Sequence, residues 1–135
     1  MVALAIASEP RFALERMEIE RGGPSYTVDT LRALKAREPV VEFVLLVGAD
    51  AVAELPSWRE AGSLPGLARI VALSRGGEAP PPSPLIWRTL AVPAIDISAT
   101  DVRARVRNGA SIRWRVPEAV ARYIAAERLY FDQGR

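Results

Sequence analysis

The chain has 135 residues, half of them hydrophobic and a quarter charged, an ordinary balance for one soluble globular domain. Its net charge of +2 is no nucleic-acid-binding surplus, and no apolar run approaches the length of a membrane span. Cysteine is absent, which excludes disulfides and thiolate metal sites and makes a cytoplasmic location the default; histidine is absent too, which excludes any imidazole acid, base or ligand.

Residues 1–7 are apolar but too short, and without a basic start, for a signal peptide. They read as the end of a helix broken before Pro10. Residues 12–19 alternate imperfectly, with Phe12, Leu14, Met17 and Ile19 as inward candidates, and predict a strand. Arg21-Gly22-Gly23-Pro24-Ser25 is turn chemistry. Ser25 or Thr27 then caps a helix whose Val28, Leu31 and Leu34 share one face and which ends near Arg37, ahead of Pro39.

Residues 40–47 are almost all apolar, which predicts a central parallel strand covered on both faces. Gly48-Ala49-Asp50 opens a helix to Leu55, and Pro56 interrupts it. Ser57 is the candidate cap of a short helix holding Trp58, Arg59 and Glu60. Residues 68–73 predict a second buried strand, ending at Ser74-Arg75. Residues 76–84, rich in Gly and Pro, predict a surface loop. Residues 85–90 are ambiguous, and residues 91–97 predict an extended segment.

A helix over residues 100–107 follows, stopped by Asn108-Gly109. The last helix begins around Val116-Pro117-Glu118. Val120, Tyr123 and Ile124 are its inward candidates, and Leu129-Tyr130 packs back on the body. Strands alternating with helices imply an α/β fold with a parallel sheet and right-handed crossovers.

In such a sheet ligands bind beyond the carboxyl ends of the strands. Three strand ends carry suggestive residues: Gly48 with Asp50, Ser74 with Arg75, and Ser98 with Thr100 and Arg103. Glycine allows close approach to a ligand, and a carboxylate there accepts bonds from ribose hydroxyls. Ser98 and Thr100 stand where extended chain becomes helix, so either can cap it. Free amides and the Arg103 guanidinium also make that start a chemically sensible phosphate cradle. Arg103, Arg105, Arg107, Arg113 and Arg115 form the densest basic group, either a solvated face or a polyphosphate site. Ser25-Tyr26-Thr27 at a helix start can hold a carboxylate on backbone amides, and Trp58 can stack on an aromatic ring or simply pack.

Gly23-Pro24-Ser25-Tyr26-Thr27-Val28-Asp29-Thr30-Leu31 resembles the SYTvdTL signature of bacterial nicotinate-nucleotide adenylyltransferases. Gly48-Ala49-Asp50 with Leu55-Pro56-Ser57-Trp58 is similar to that family's GaD and lp.W stretch. Ile97-Ser98-Ala99-Thr100-Asp101-Val102-Arg103 resembles the ISsTxiR element of nucleotidyltransferases, and Val116-Pro117 through Leu129-Tyr130 resembles the family's closing pattern. The four stand in family order and cover most of the chain.

The resemblance implies a Rossmann-like nucleotidyltransferase fold in one domain over residues 1–135. It implies transfer of the adenylyl group of ATP to nicotinate mononucleotide, with release of pyrophosphate. By the same resemblance Ser98, Thr100 and Arg103 would hold ATP phosphates, and Gly48 and Asp50 would lie near the nucleotide. Tyr26 and Thr27 would hold the nicotinate carboxylate with Trp58 against the ring, and Arg75 would neighbour the mononucleotide. Mg2+ would accompany ATP. Neither nucleic acid nor membrane is an implied partner, and the oligomeric state is open, a homo-oligomer included.

The chain departs from the family at its start. The family opens with a glycine-rich turn bearing an H-x-G-H motif, and this chain has no histidine. The expectation is a form incomplete at the N-terminus, with its first strands missing and the strand at residues 41–47 left without a neighbour on one side. Little turnover by this chain alone follows. The alternative is a non-catalytic nucleotide-binding module that keeps the phosphate cradle.

Overall fold

The computed structural model describes residues 1–75 and 80–131. It divides into two compact units, Arg16–Ala94 and a second built from Met1–Glu15 with Ile95–Arg135. Each has its own hydrophobic core.

The larger unit carries a parallel sheet of three strands in the order β1 (Val44–Gly48), β2 (Arg69–Arg75), β3 (Arg88–Val92). Val44 pairs with Arg69 and Gly48 with Leu73; Val71 pairs with Arg88 and Arg75 with Val92. Parallel neighbours need a crossover of a dozen or more residues. Between β1 and β2 that crossover is α4 (Ala49–Glu54), two 3-10 turns at Leu55–Ser57 and Ala61–Ser63, and α5 (Leu64–Leu67). Within β2, Ile70, Val71, Ala72 and Ser74 are buried, as a central parallel strand requires. Helix α3 (Thr27–Arg37) contributes Val28 and Leu31 to the core, where they join Val47, Val52, Leu55, Leu64 and Ile70.

Three expectations are corrected. Residues 12–19 form no strand: residues 12–16 are irregular and α2 runs Met17–Arg21, with Phe12, Leu14 and Ile19 exposed. A strand is stable only on a neighbour's hydrogen-bond ladder, and among the described residues no strand pairs with this segment. The strand expected over residues 40–47 begins at Val44, because β2 offers a register partner only from Arg69. It is also an edge, not a centre: Val44 is 51% and Leu46 58% exposed, so one face is uncovered. Among the described residues β1 pairs with β2 alone. Ser57 caps no helix; its hydroxyl donates to the Glu54 carbonyl at 2.7 Å, and Trp58 after it is extended. The loop expected over residues 76–84 falls partly outside the described residues, at 76–79.

The other unit contains α1 (Val2–Ile6), which lies against α7 (Glu118–Ala126), and α6 (Ala99–Arg107). Helix α6 ends as the sequence chemistry asks. After α6, Gly109 at φ +66° lets its own N–H reach the Val106 carbonyl and Ala110 N–H reach that of Arg105, closing a Schellman turn. After α7 the same pattern is built on Arg128 at φ +51°. Val106, Val120 and Ile124 form the core, with Ile112, Val116 and Leu129 against it. Tyr123, an inward candidate, is exposed instead: it neighbours Ile124 in sequence but lies about 100° round the helix from it. Among the described residues no helix is long and apolar enough to cross a membrane.

Candidate functional site

Two places bring the candidate residues together. The first is the start of α3. Tyr26 is its N-cap in extended conformation, and no side chain caps the helix, so neither Ser25 nor Thr27 plays the expected role. The first N–H groups of a helix have no acceptor within it. Here Asp29 N–H already donates to the Tyr26 carbonyl at 3.0 Å, which leaves the N–H groups of Thr27 and Val28 as the candidates for an acceptor from outside, and the helix dipole favours a negative one.

An open cavity of about 320 Å³ lies at this start, lined by Ser25, Tyr26, Thr27, Ser57, Trp58 and Arg59. Three of the four residues expected at the mononucleotide thus converge across a separation of more than thirty positions. Trp58 is half-buried and packs on the core while lining this cavity. Arg75, the fourth, is exposed at the end of β2 and is not among the lining residues.

Sequence reasoning missed Arg59. Its guanidinium sits over the Tyr26 ring, 4.6 Å from the centroid, a cation–π contact. Its nitrogens lie 3.7 Å from Asp29 and 3.9 Å from Glu60, too far for good hydrogen bonds. Glu60 is held instead by Arg32, which donates to it through both terminal nitrogens at 3.2 and 2.5 Å. The Arg32 hydrogen bond, with the charges of Arg32 and Arg59, keeps the Glu60 carboxyl below its ordinary pKa; the same bond raises Arg32. The only signal in the sequence was adjacency to Trp58.

The carboxyl ends of β1 and β2 carry Gly48 with Asp50 and Ser74 with Arg75. Gly48 and Leu73 are register partners, so these residues stand at one sheet edge, as expected. Gly48 has an ordinary φ of −67°, and a Cβ there would meet only the end of the Asp50 side chain, which would have to turn aside.

The second place is the start of α6. Ser98 is its N-cap, and its Oγ accepts from Asp101 N–H at 3.0 Å. Thr100 Oγ1 accepts from Arg103 Nη2 at 3.3 Å. Ser98, Thr100 and Arg103 are thus assembled within about one and a half helical turns. A hydroxyl has two lone pairs and one proton, so Ser98 caps with a lone pair and keeps its O–H to donate. Cap and phosphate contact are compatible roles for one side chain.

Chemically the first place suits a small aromatic carboxylate: amides for the anion, indole and phenol for the ring. The second suits an oxyanion with several acceptor oxygens. Among the described residues no group of three or more acidic or histidine side chains could hold a metal ion.

No family model matches the chain. Among curated proteins it is similar to a probable nicotinate-nucleotide adenylyltransferase of Corynebacterium kroppenstedtii, 44% identical over 140 residues, which take in 100% of this chain and 66% of the relative. A protein of the same name from Thermus thermophilus is 43% identical over 130 residues, 96% of this chain and 70% of the relative. The chain therefore spans about two thirds of the length of these relatives. Among solved structures it matches Plasmodium falciparum nicotinic acid mononucleotide adenylyltransferase complexed with NaAD, with TM-score 0.70 and 18% identity over 96% of this chain and 71% of that one. The same enzyme complexed with APC matches with TM-score 0.71.

Proposed function

The chain belongs to the nicotinate-nucleotide adenylyltransferase family, with its Rossmann-like nucleotidyltransferase fold, and on that premise we propose that its two compact units are parts of one domain that moves adenylyl from ATP to nicotinate mononucleotide. The observation that carries this is the convergence of Tyr26, Thr27 and Trp58 on one cavity at an uncapped helix start. A nicotinate carboxylate is the anion those amides fit, and Trp58 offers its ring a stacking face.

In this reading Ser98, Thr100 and Arg103 hold the polyphosphate, and Gly48 and Asp50 lie beside the nucleotide. Arg75 neighbours the mononucleotide. A phosphate oxygen of the mononucleotide attacks the α-phosphorus of ATP; that P–O bond forms, the α–β bridging bond breaks and pyrophosphate leaves. The residues contribute positioning and charge stabilisation, with no covalent intermediate. Mg2+ would accompany ATP, supplying charge neutralisation on its phosphates. Catalysis takes place in the cytoplasm. Turnover by these 135 residues alone is low, because the family's histidine motif has no counterpart in a chain without histidine. No observation favours a module that binds nucleotide without transfer chemistry.

Calorimetry of the 135-residue chain with nicotinate mononucleotide and with ATP tests the reading. The expected result is binding of both, with Trp58→Leu weakening the mononucleotide about tenfold. A chain that binds neither overturns it. Dinucleotide formation at a normal enzyme rate, with ATP and Mg2+ supplied, overturns the low-turnover part alone.

A further inference from the structure

The loop that follows α6 is fastened to both ends of that helix. At the C-terminal end Arg105 Nε donates to the Ser111 carbonyl at 2.7 Å. At the N-terminal end Arg115 Nη1 donates to Asp101 Oδ2, also at 2.7 Å. Asp101 is the residue whose backbone N–H bonds the Ser98 hydroxyl. One carboxylate thus ties a loop guanidinium to the turn that carries Ser98, Thr100 and Arg103.

A cavity of about 260 Å³ opens at this end of α6, and Ser98, Arg103 and Arg115 line it together with the apolar Ile97, Val120 and Ile124. Among the described residues that line it, the charged side chains are Arg103 and Arg115; Asp101 is not one of them. Both arginines thus belong to the lining, and the carboxylate that holds the Arg115 guanidinium does not. A guanidinium has five N–H donors, and the bond to Asp101 uses one.

Stability is a poor reason for this pair. The two side chains are 33% and 43% exposed, and ion pairs so placed contribute between nothing and about 1 kcal/mol. What the pair does is fix where a long side chain ends. The planar fork of arginine matches phosphate oxygens two at a time, and the amides at the start of α6 add donors beside it.

We infer that Arg115 is a second polyphosphate-binding guanidinium beside Arg103, held within reach by Asp101. The inference rests on the reading of the α6 start as the phosphate-holding segment. It accounts for one member of the arginine cluster that the proposed reaction otherwise leaves without a task.

The test titrates ATP and inorganic triphosphate, by calorimetry, into the 135-residue chain and into Arg115→Gln, Arg115→Lys and Asp101→Asn, with circular dichroism reporting that each variant is folded. Arg115→Gln is expected to weaken both probes about tenfold and to leave nicotinate mononucleotide affinity unchanged. Arg115→Lys recovers part of the loss, since it keeps the charge and loses the fork. Asp101→Asn keeps binding, because the amide oxygen can still accept from Arg115 Nη1 and hold it in place. Equal weakening by Arg115→Gln and Asp101→Asn would mark the pair as a brace and overturn the inference. So would an Arg115→Gln chain with unaltered affinity. A wild-type chain that binds neither probe is a different failure: it removes the phosphate reading of α6 itself.

Discussion

Ser98 offers the sharpest separation of a structural from a functional role. Its Oγ accepts from Asp101 N–H at 3.0 Å, satisfying one of the four orphan donors at the start of α6. Replacing such a cap by alanine costs about 1 kcal/mol. For a chain of this size that is roughly 4 °C in Tm. Ser98→Ala also deletes the O–H proposed to reach a phosphate, so ATP affinity falls with stability. Ser98→Asp parts the two. Aspartate caps as well as serine and suits the helix dipole, so Tm is expected within about a degree of wild type. Its negative charge then stands where phosphate oxygens would lie, and ATP affinity is expected to fall at least tenfold. Differential scanning fluorimetry and ATP calorimetry on the same three proteins decide it. An aspartate variant that melts with the alanine variant refutes the cap geometry. One that binds ATP like wild type refutes the phosphate role.

Leu64 is fully buried in the larger core, so Leu64→Ala is expected to cost 2–5 kcal/mol in urea unfolding; a loss under about 1 would mean the core is packed otherwise. Glu60 titrates below its ordinary pKa because Arg32 hydrogen-bonds it. A carboxylate lowered in the folded state adds stability above its unfolded pKa, and the gain is lost as pH falls through the folded value. Thermal melts between pH 6 and 3 should therefore show a smaller acid-side decline for Glu60→Gln than for wild type; identical profiles would count against the Arg32 pairing. Arg128 occupies the left-handed C′ position after α7 at φ +51°, where glycine carries no steric penalty. Arg128→Gly is expected to stabilise by roughly 1 kcal/mol in the same urea assay, and a destabilised variant would show that the turn is not left-handed in solution.

The legible parts of the fold were those written in local chemistry. The end of α3 before Pro39, the Asn108-Gly109 stop and the Pro117 start each depend on residues within one turn of the event, and each stands within a residue or two of its expected place. Strand limits were less legible. Val40 and Val41 look like strand residues, yet Val41 N–H closes a turn on the Glu38 carbonyl, since no register partner for them exists on β2. The alternation over residues 12–19 misled for the same reason. Hydrophobic period describes a segment, whereas pairing belongs to two.

The site divides along the same line. Gly48, Asp50, Ser98, Thr100 and Arg103 each sit at a junction between elements, and a junction can be read from the sequence alone because its hydroxyls, glycine and carboxylate act within a few residues. Arg59 and Arg115 could not be read in this way. One is defined by the Tyr26 ring beneath it and the other by the Asp101 carboxylate that holds it, partners 33 and 14 residues away in the chain. Their backbone neighbours say nothing about those distances, because side-chain contacts across a fold are set by how helices and strands pack. The sequence by itself determined the family, the parallel α/β class and the turns that open α4, α6 and α7, since these rest on short-range geometry and pattern. Only the tertiary structure decided that β1 has one bare face, that Tyr26 and Trp58 share a cavity, and that a loop arginine reaches the start of α6.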